Sequence, residues 1–136
     1  MRFLMLMIPN IPAEAANWTP DAEAVAAMTR YNDELTKAGA LLALDGLHPT
    51  TEGARVSFTG GRATVTDGPF AEAKEVVGGY WLIQARSREE AVEWASRCPA
   101  SDGDVIEVRQ VFEFSEFPED VQAAAQGATT EALGGA

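Results

Sequence analysis

Cysteine, histidine and positive charge are all scarce in this chain. Cys98 is the one cysteine, so no internal disulfide can form, which fits a reducing compartment. His48 is the one histidine, and one imidazole with one thiol cannot build a nitrogen/sulfur metal site within a single chain. EF-hand spacing is missing, as are GxGxxG, P-loop, GxSxG and HExxH motifs. Clustered acids leave room for an all-oxygen site without EF-hand spacing, but no metal and no cofactor are expected. Ten basic residues face 21 acidic ones, a net charge of −11. That surface repels phosphate, which makes nucleic acid and anionic membrane poor partners. Long apolar runs are lacking too. The longest near the start, Phe3–Ile8, falls short of the ~7–15 residues of a signal h-region and is broken by Pro9 and Pro12. It reads as a buried first strand, and a soluble, cytoplasmic domain is expected.

What is present is apolar content sufficient for a core: 46% of 136 residues, a length suited to one domain. After the strand at residues 2–8, Thr19-Pro20-Asp21 is a helix start, with Thr19 as N-cap. Ala24, Met28, Tyr31, Leu35 and Ala38 then form one helical stripe, and Gly39 follows as a C-cap. Residues 40–44 suit a second strand. Two alternating runs, 55–59 and 62–66, meet at Gly60-Gly61, a strong hairpin signal because the primed turns need positive φ. Residues 71–75 suit one helical turn. Residues 76–86 read as a strand, with Gly78-Gly79 at a bulge or close backbone approach. Ser87 and Glu90 have capping-box spacing, opening a helix with Ala91, Trp94, Ala95 and Cys98 inside. Residues 105–114 form the last strand.

Setting the hairpin aside, the order is βαββαβ. The expected fold is α+β: a ferredoxin-like antiparallel sheet with both helices on one face and an inserted β-hairpin. The first strand carries Phe3, Met5 and Met7 on one side and Leu4, Leu6 and Ile8 on the other. A half-wet sheet should alternate more cleanly, and the chain has helices for one face only. A second copy of the sheet is the simplest cover, so a homodimer is expected. Residues 1–117 make the domain. Residues 118–136 are an Ala/Gly-rich acidic segment, expected to hold a short helix through Gln126 and then a mobile tail.

The stretch with most to say chemically runs from Val65 to Ile83. Asp67, Gly68 and Pro69 suit an Asx-type turn, Phe70 can anchor it, and Glu72, Lys74 and Glu75 cluster charge beside it. On the physics of the residues alone, a rigid corner with a solvated charged flank explains them better than a site does. The run Asp67-Gly68-Pro69-Phe70-Ala71-Glu72, then Lys74-Glu75 and Gly78-Gly79-Tyr80-Trp81, resembles the signature of the YCII-related proteins, in particular their DGPF-domain branch. The likeness extends over residues 1–117, through Gly46-Leu47-His48-Pro49, the Gly-Gly hairpin, Glu93-Trp94-Ala95 and Glu107-Val108-Arg109. The resemblance implies a dimeric α+β barrel and a His/Asp acid–base site. It also implies, for some members, an association with extracytoplasmic-function sigma factors.

Carried onto this chain, the acid–base pair is His48 and Asp67. Imidazole is the natural proton carrier near neutral pH, and the hairpin between the two residues can bring its ends together. Arg109 lies on the face of the last strand with Glu107, Val111 and Glu113, where it can anchor an anion or join an ion pair. Phe70, Glu72 and Tyr80 complete the expected ligand-contacting set. Two functions follow: a small-molecule binder or small enzyme working in the barrel, or a regulatory interaction module with a sigma-factor partner.

Overall fold

The computed structural model describes residues 1–10, 21–70 and 75–132, without the side chains of residues 126–132. Four strands form one antiparallel sheet: β1 (Arg2–Ile8), β2 (Leu41–Gly46), β5 (Gly79–Gln84) and β6 (Val105–Gln110), in the order β2-β5-β1-β6. Helices α1 (Ala22–Lys37) and α2 (Arg88–Ser96) connect them on the ferredoxin-like plan. The hairpin of β3 (Ala54–Thr59) and β4 (Arg62–Asp67) is inserted between β2 and β5 as a separate two-stranded sheet. A third helix, α3 (Glu119–Ala132), follows the last strand.

Local signals account for the element ends. Thr19 and Pro20 lie outside the described residues; the observed N-cap of α1 is Asp21, whose Oδ1 accepts from the Ala24 amide at 2.7 Å. At the other end, Gly39 adopts φ 71°, its amide donates to Thr36, and the Ala40 amide donates to the Leu35 carbonyl. That pairing is a Schellman motif, and the left-handed residue it requires is the glycine. Ser87 caps α2 by accepting from the Glu90 amide at 3.1 Å. Glu90 turns its carboxylate to Arg86 at 3.0 Å. Gly60 and Gly61, at φ 59° and 78°, make the primed turn of the hairpin.

Alternation along the strands decides which side chains enter the core. Phe3 and Met5 from β1, Trp81 and Ile83 from β5, Tyr31 and Leu35 from α1, and Ala91 and Trp94 from α2 are all buried. Each fully buried large side chain contributes ~1.5–3 kcal/mol by leaving water. Polar atoms that enter this layer find partners. The Tyr31 hydroxyl donates to the Trp94 carbonyl at 2.6 Å, and the Trp81 indole donates to Asn32 at 2.9 Å. Tyr31 and Trp81 also meet edge to face, with centroids 5.9 Å apart. Ala24 and Ala38, at the ends of the expected α1 stripe, are exposed.

Several strand bounds differ from the pattern reading. β5 begins at Gly79, and Gly78 and Gly79 are close-approach positions. A Cβ on Gly79 would lie 2.9 Å from the Asp45 carbonyl oxygen, and one on Gly78 would lie 3.0 Å from Pro9. The irregularity is on β2 instead, between Leu41 and Ala43. β6 stops at Gln110, and Phe114–Glu116 form a 3₁₀ turn. Alternation along residues 105–114 predicts that Ile106, Val108, Phe112 and Phe114 face the helices, but Phe112 and Phe114 are 71% and 43% exposed, and Phe112 stacks on Phe117 at 5.4 Å. α3 continues past Gln126 to Ala132. Among the described residues, no helix is long and apolar enough to cross a membrane.

Candidate functional site

β1, β2 and the start of β5 meet at one end of the sheet, and connectivity brings His48, Asp67 and Tyr80 to that end, while Arg109 lies on the edge strand β6. β2 ends at Gly46, and the Leu47 amide donates to the Gly78 carbonyl at 2.9 Å. His48 and Pro49 follow, then a 3₁₀ turn at Thr50–Glu52, then the hairpin. The hairpin returns the chain to its starting point, since Ala54 pairs with Asp67. Beyond Asp67, the Gly68 amide donates to the Gly53 carbonyl at 2.9 Å. A Cβ on Gly68 would collide with the Thr50 carbonyl. Glycine is needed there because backbone presses on backbone. The Asp67-Gly68 corner is thus clamped against the turn that carries His48.

The His48 side chain takes a different carboxylate from the expected one. Its Nδ1 lies 3.1 Å from Oε2 of Glu52, four residues on, and the ring is largely exposed. No hydrogen bond joins it to Asp67 among the described residues. A carboxylate accepts only, so in the neutral ring the bonding proton sits on Nδ1, which leaves the Nε2 lone pair open as a base. The sequence signal for this contact was His48-x-x-x-Glu52, an i,i+4 spacing that matters only once a helical turn follows Pro49. Phe70 is half-buried beneath the Arg55 guanidinium, 4.0 Å from its ring centroid, a cation–π contact that ties the corner to the hairpin. Glu72 lies outside the described residues, as do Ala71 and Lys74 of the expected helical turn.

Tyr80 and Arg109 lie on the sheet face turned away from the helices. Register places Asp45, Tyr80, Leu6 and Glu107 in one row across that face. Ala43, Leu82, Leu4 and Arg109 form the next row. The Tyr80 hydroxyl donates to Oδ2 of Asp45 at 3.0 Å, and this bond, with the nearby charge, raises the phenol above its ordinary pKa and keeps it a donor. Asp45 was not among the expected residues, because cross-strand pairing, not sequence proximity, brings it to Tyr80. Arg109 stands 3.9 Å from Glu107, a loose pair that leaves its guanidinium largely exposed. Glu113, the other acid expected beside it, is instead bonded to Arg2 through two contacts of 2.9 and 3.2 Å. That guanidinium holds the Glu113 carboxyl below its ordinary range.

Cys98 belongs to the helix side of the sheet, packed against the core. It lines a groove between α2 and β6 with Val92, Asp104 and Ile106, and burial, with Asp104 beside it, pushes its thiol up to about 11. A thiol so protonated is a poor nucleophile near neutral pH. Among the described residues, no three His, Cys, Asp or Glu side chains converge as a metal site would require.

An antiparallel sheet with α1 and α2 on one face and, among the described residues, a half-exposed, polar-rimmed apolar floor on the other defines a ferredoxin-like α+β domain with a candidate small-ligand surface. The sequence matches the YCII-related domain over residues 1–115, and the chain belongs to that family. It also resembles a Rhizobium meliloti protein described only as uncharacterized, with 42% identity over 59 residues. That match takes in 43% of this chain and 48% of the relative, so the chain spans about half the length of the curated relative it matches.

Proposed function

We propose that this protein, a member of the DGPF branch of its family, is a homodimeric binder or small acid–base enzyme for a small organic anion. Its ligand lies on the open sheet face at the end where His48, Asp67 and Tyr80 gather. The observation that carries this reading is the composition of the uncovered face. An apolar floor of Leu4, Leu6 and Leu82 is bordered by the Tyr80–Asp45 pair at one edge and by a loosely held Arg109 at the other. Ligand sites combine apolar lining with a few placed polar groups in this way. A flat face becomes a cavity when a second copy covers it, and C₂ dimers are the commonest oligomers. Arg109 supplies the fork for a carboxylate or phosphate. His48 exchanges the proton through Nε2, with Glu52 or Asp67 as its orienting acid.

Light scattering should give twice the 14.5 kDa chain mass. Benzoate, titrated against the protein and followed by its own NMR line widths, should broaden with the native chain and sharpen with Arg109→Ala. A monomeric mass would overturn the covered cavity. Equal broadening with the native protein and the Arg109 variant would overturn the anion anchor.

A further inference from the structure

The β3–β4 hairpin carries a second apolar face that the described residues leave exposed. Val56 pairs with Val65 and Phe58 with Ala63, so these four side chains share one side of the ribbon. Val56, Phe58 and Val65 are 53%, 76% and 64% exposed. An isolated two-stranded ribbon is marginal in water and normally packs on something. This one joins no strand of the main sheet, and among the described residues the Gly68–Gly53 bond and the Arg55–Phe70 contact tie its base to the body.

Charge narrows the choice of what covers it. The ribbon, Ala54 to Asp67, holds Arg55 and Arg62, and its one acid, Asp67, sits at the base, within a chain of net charge −11. A basic, apolar arm on an acidic body is complementary to a second copy of that body. The open sheet face offers the matching surface: Leu4, Leu6 and Leu82 in the middle and Glu107 near its β6 edge. Dimensions agree as well. Six residues per strand give an arm of ~20 Å, against a four-stranded sheet ~15 Å across.

We propose that the hairpin is an exchanged arm: in the dimer, each copy lays Val56, Phe58 and Val65 over the open sheet face of the other. Each ligand cavity is then roofed by residues of the partner copy, with Arg62 set toward the acidic rim. This deepens the reading above and rests on its homodimer. The cavity is incomplete in a single chain, and it opens and closes with the arm.

A dimer mixed from isotope-labelled and unlabelled chains tests the arrangement directly. Filtered NOE spectra should show contacts from the Phe58 ring of one copy to leucine methyls of the other, assigned by Leu4→Val, Leu6→Val and Leu82→Val variants. Phe58→Asp and Arg62→Glu should each raise the dimer dissociation constant by about tenfold or more, the arginine effect fading in high salt. A dimer showing only leucine-to-leucine contacts between copies, unaffected by either variant, would overturn the arm and leave the dimer standing. A monomer at every concentration would overturn both.

Discussion

The two faces of the main sheet differ in what finishes them. On the helix side, Phe3, Met5, Leu35 and Ile83 have almost no exposed surface, and the buried tyrosine and tryptophan have bonded partners. On the other side, Leu4, Leu6 and Ile8 from the same strand remain half-exposed, bordered by ion pairs at 2.9 and 3.9 Å. One strand therefore serves two environments through its period-two alternation. The helix side is complete within the chain. The open side is where association and binding have something to gain.

The sharpest way to separate the two faces is truncation at different protein concentrations. Leu35→Ala leaves a cavity in the covered layer and should lower unfolding stability by ~2–5 kcal/mol. Denaturant midpoints should show the same loss at micromolar and at submicromolar chain, because the contact is internal. Leu6→Ala should act through association, so its penalty should shrink on dilution. Equal concentration dependence for the two variants would erase the distinction between the faces.

Next in size is the corner that joins the hairpin to the His48 loop. Gly68→Ala forces a methyl into the Thr50 carbonyl, so the backbone must shift. A loss of ~1–3 kcal/mol is expected, the range for overpacking a close contact. Hydrogen exchange should speed up at Gly53 and Gly68 and remain unchanged in α1. A neutral outcome would show that the corner is looser than its 2.9 Å bond indicates.

These residues also show what the sequence made legible. Gly39, Gly60-Gly61 and Ser87 announced their caps and turns, because local geometry depends on the residue itself. The two-sided β1 announced a sheet with apolar residues on the face turned away from α1 and α2. The hairpin was legible as a device that returns the chain from Asp67 to the His48 loop. Side-chain partnership was not: Glu52 reaches His48 through a 3₁₀ turn with no strong local signal, and Asp45 reaches Tyr80 across two strands. The end of β6 was hidden for the same kind of reason. Its alternation continues to Phe114, but the strand stops at Gln110 and Glu113 turns to bond Arg2, 111 residues earlier in the chain.

That Arg2–Glu113 bond gives a smaller effect with a definite sign. The guanidinium lowers the Glu113 carboxyl, so the pair's contribution is complete above the unfolded carboxylate value and lost as pH falls through the lower folded one. Glu113→Gln should therefore be less stable than the native chain near pH 7, and the gap between their melting temperatures should close in strong acid. A gap that widens as pH falls would mean that the pair does not act through ionised Glu113.

The smallest effect lies at His48, where chemistry is at issue more than stability. Free imidazole favours the proton on Nε2. A carboxylate 3.1 Å from Nδ1 favours the other tautomer, because only an Nδ1 proton can be donated to it. Nitrogen-15 shifts read from long-range proton correlations above pH 8 distinguish the two forms. The native chain should show an enlarged Nδ1-protonated share, and Glu52→Gln should return it toward the free ratio while Asp67→Asn leaves it unchanged. The reverse pattern would make Asp67 the orienting acid through a movement of the corner. An unchanged ratio in both variants would leave His48 an exposed loop side chain with no carboxylate to direct it, and acid–base chemistry at this end of the sheet would then fall to Asp45 beside Tyr80.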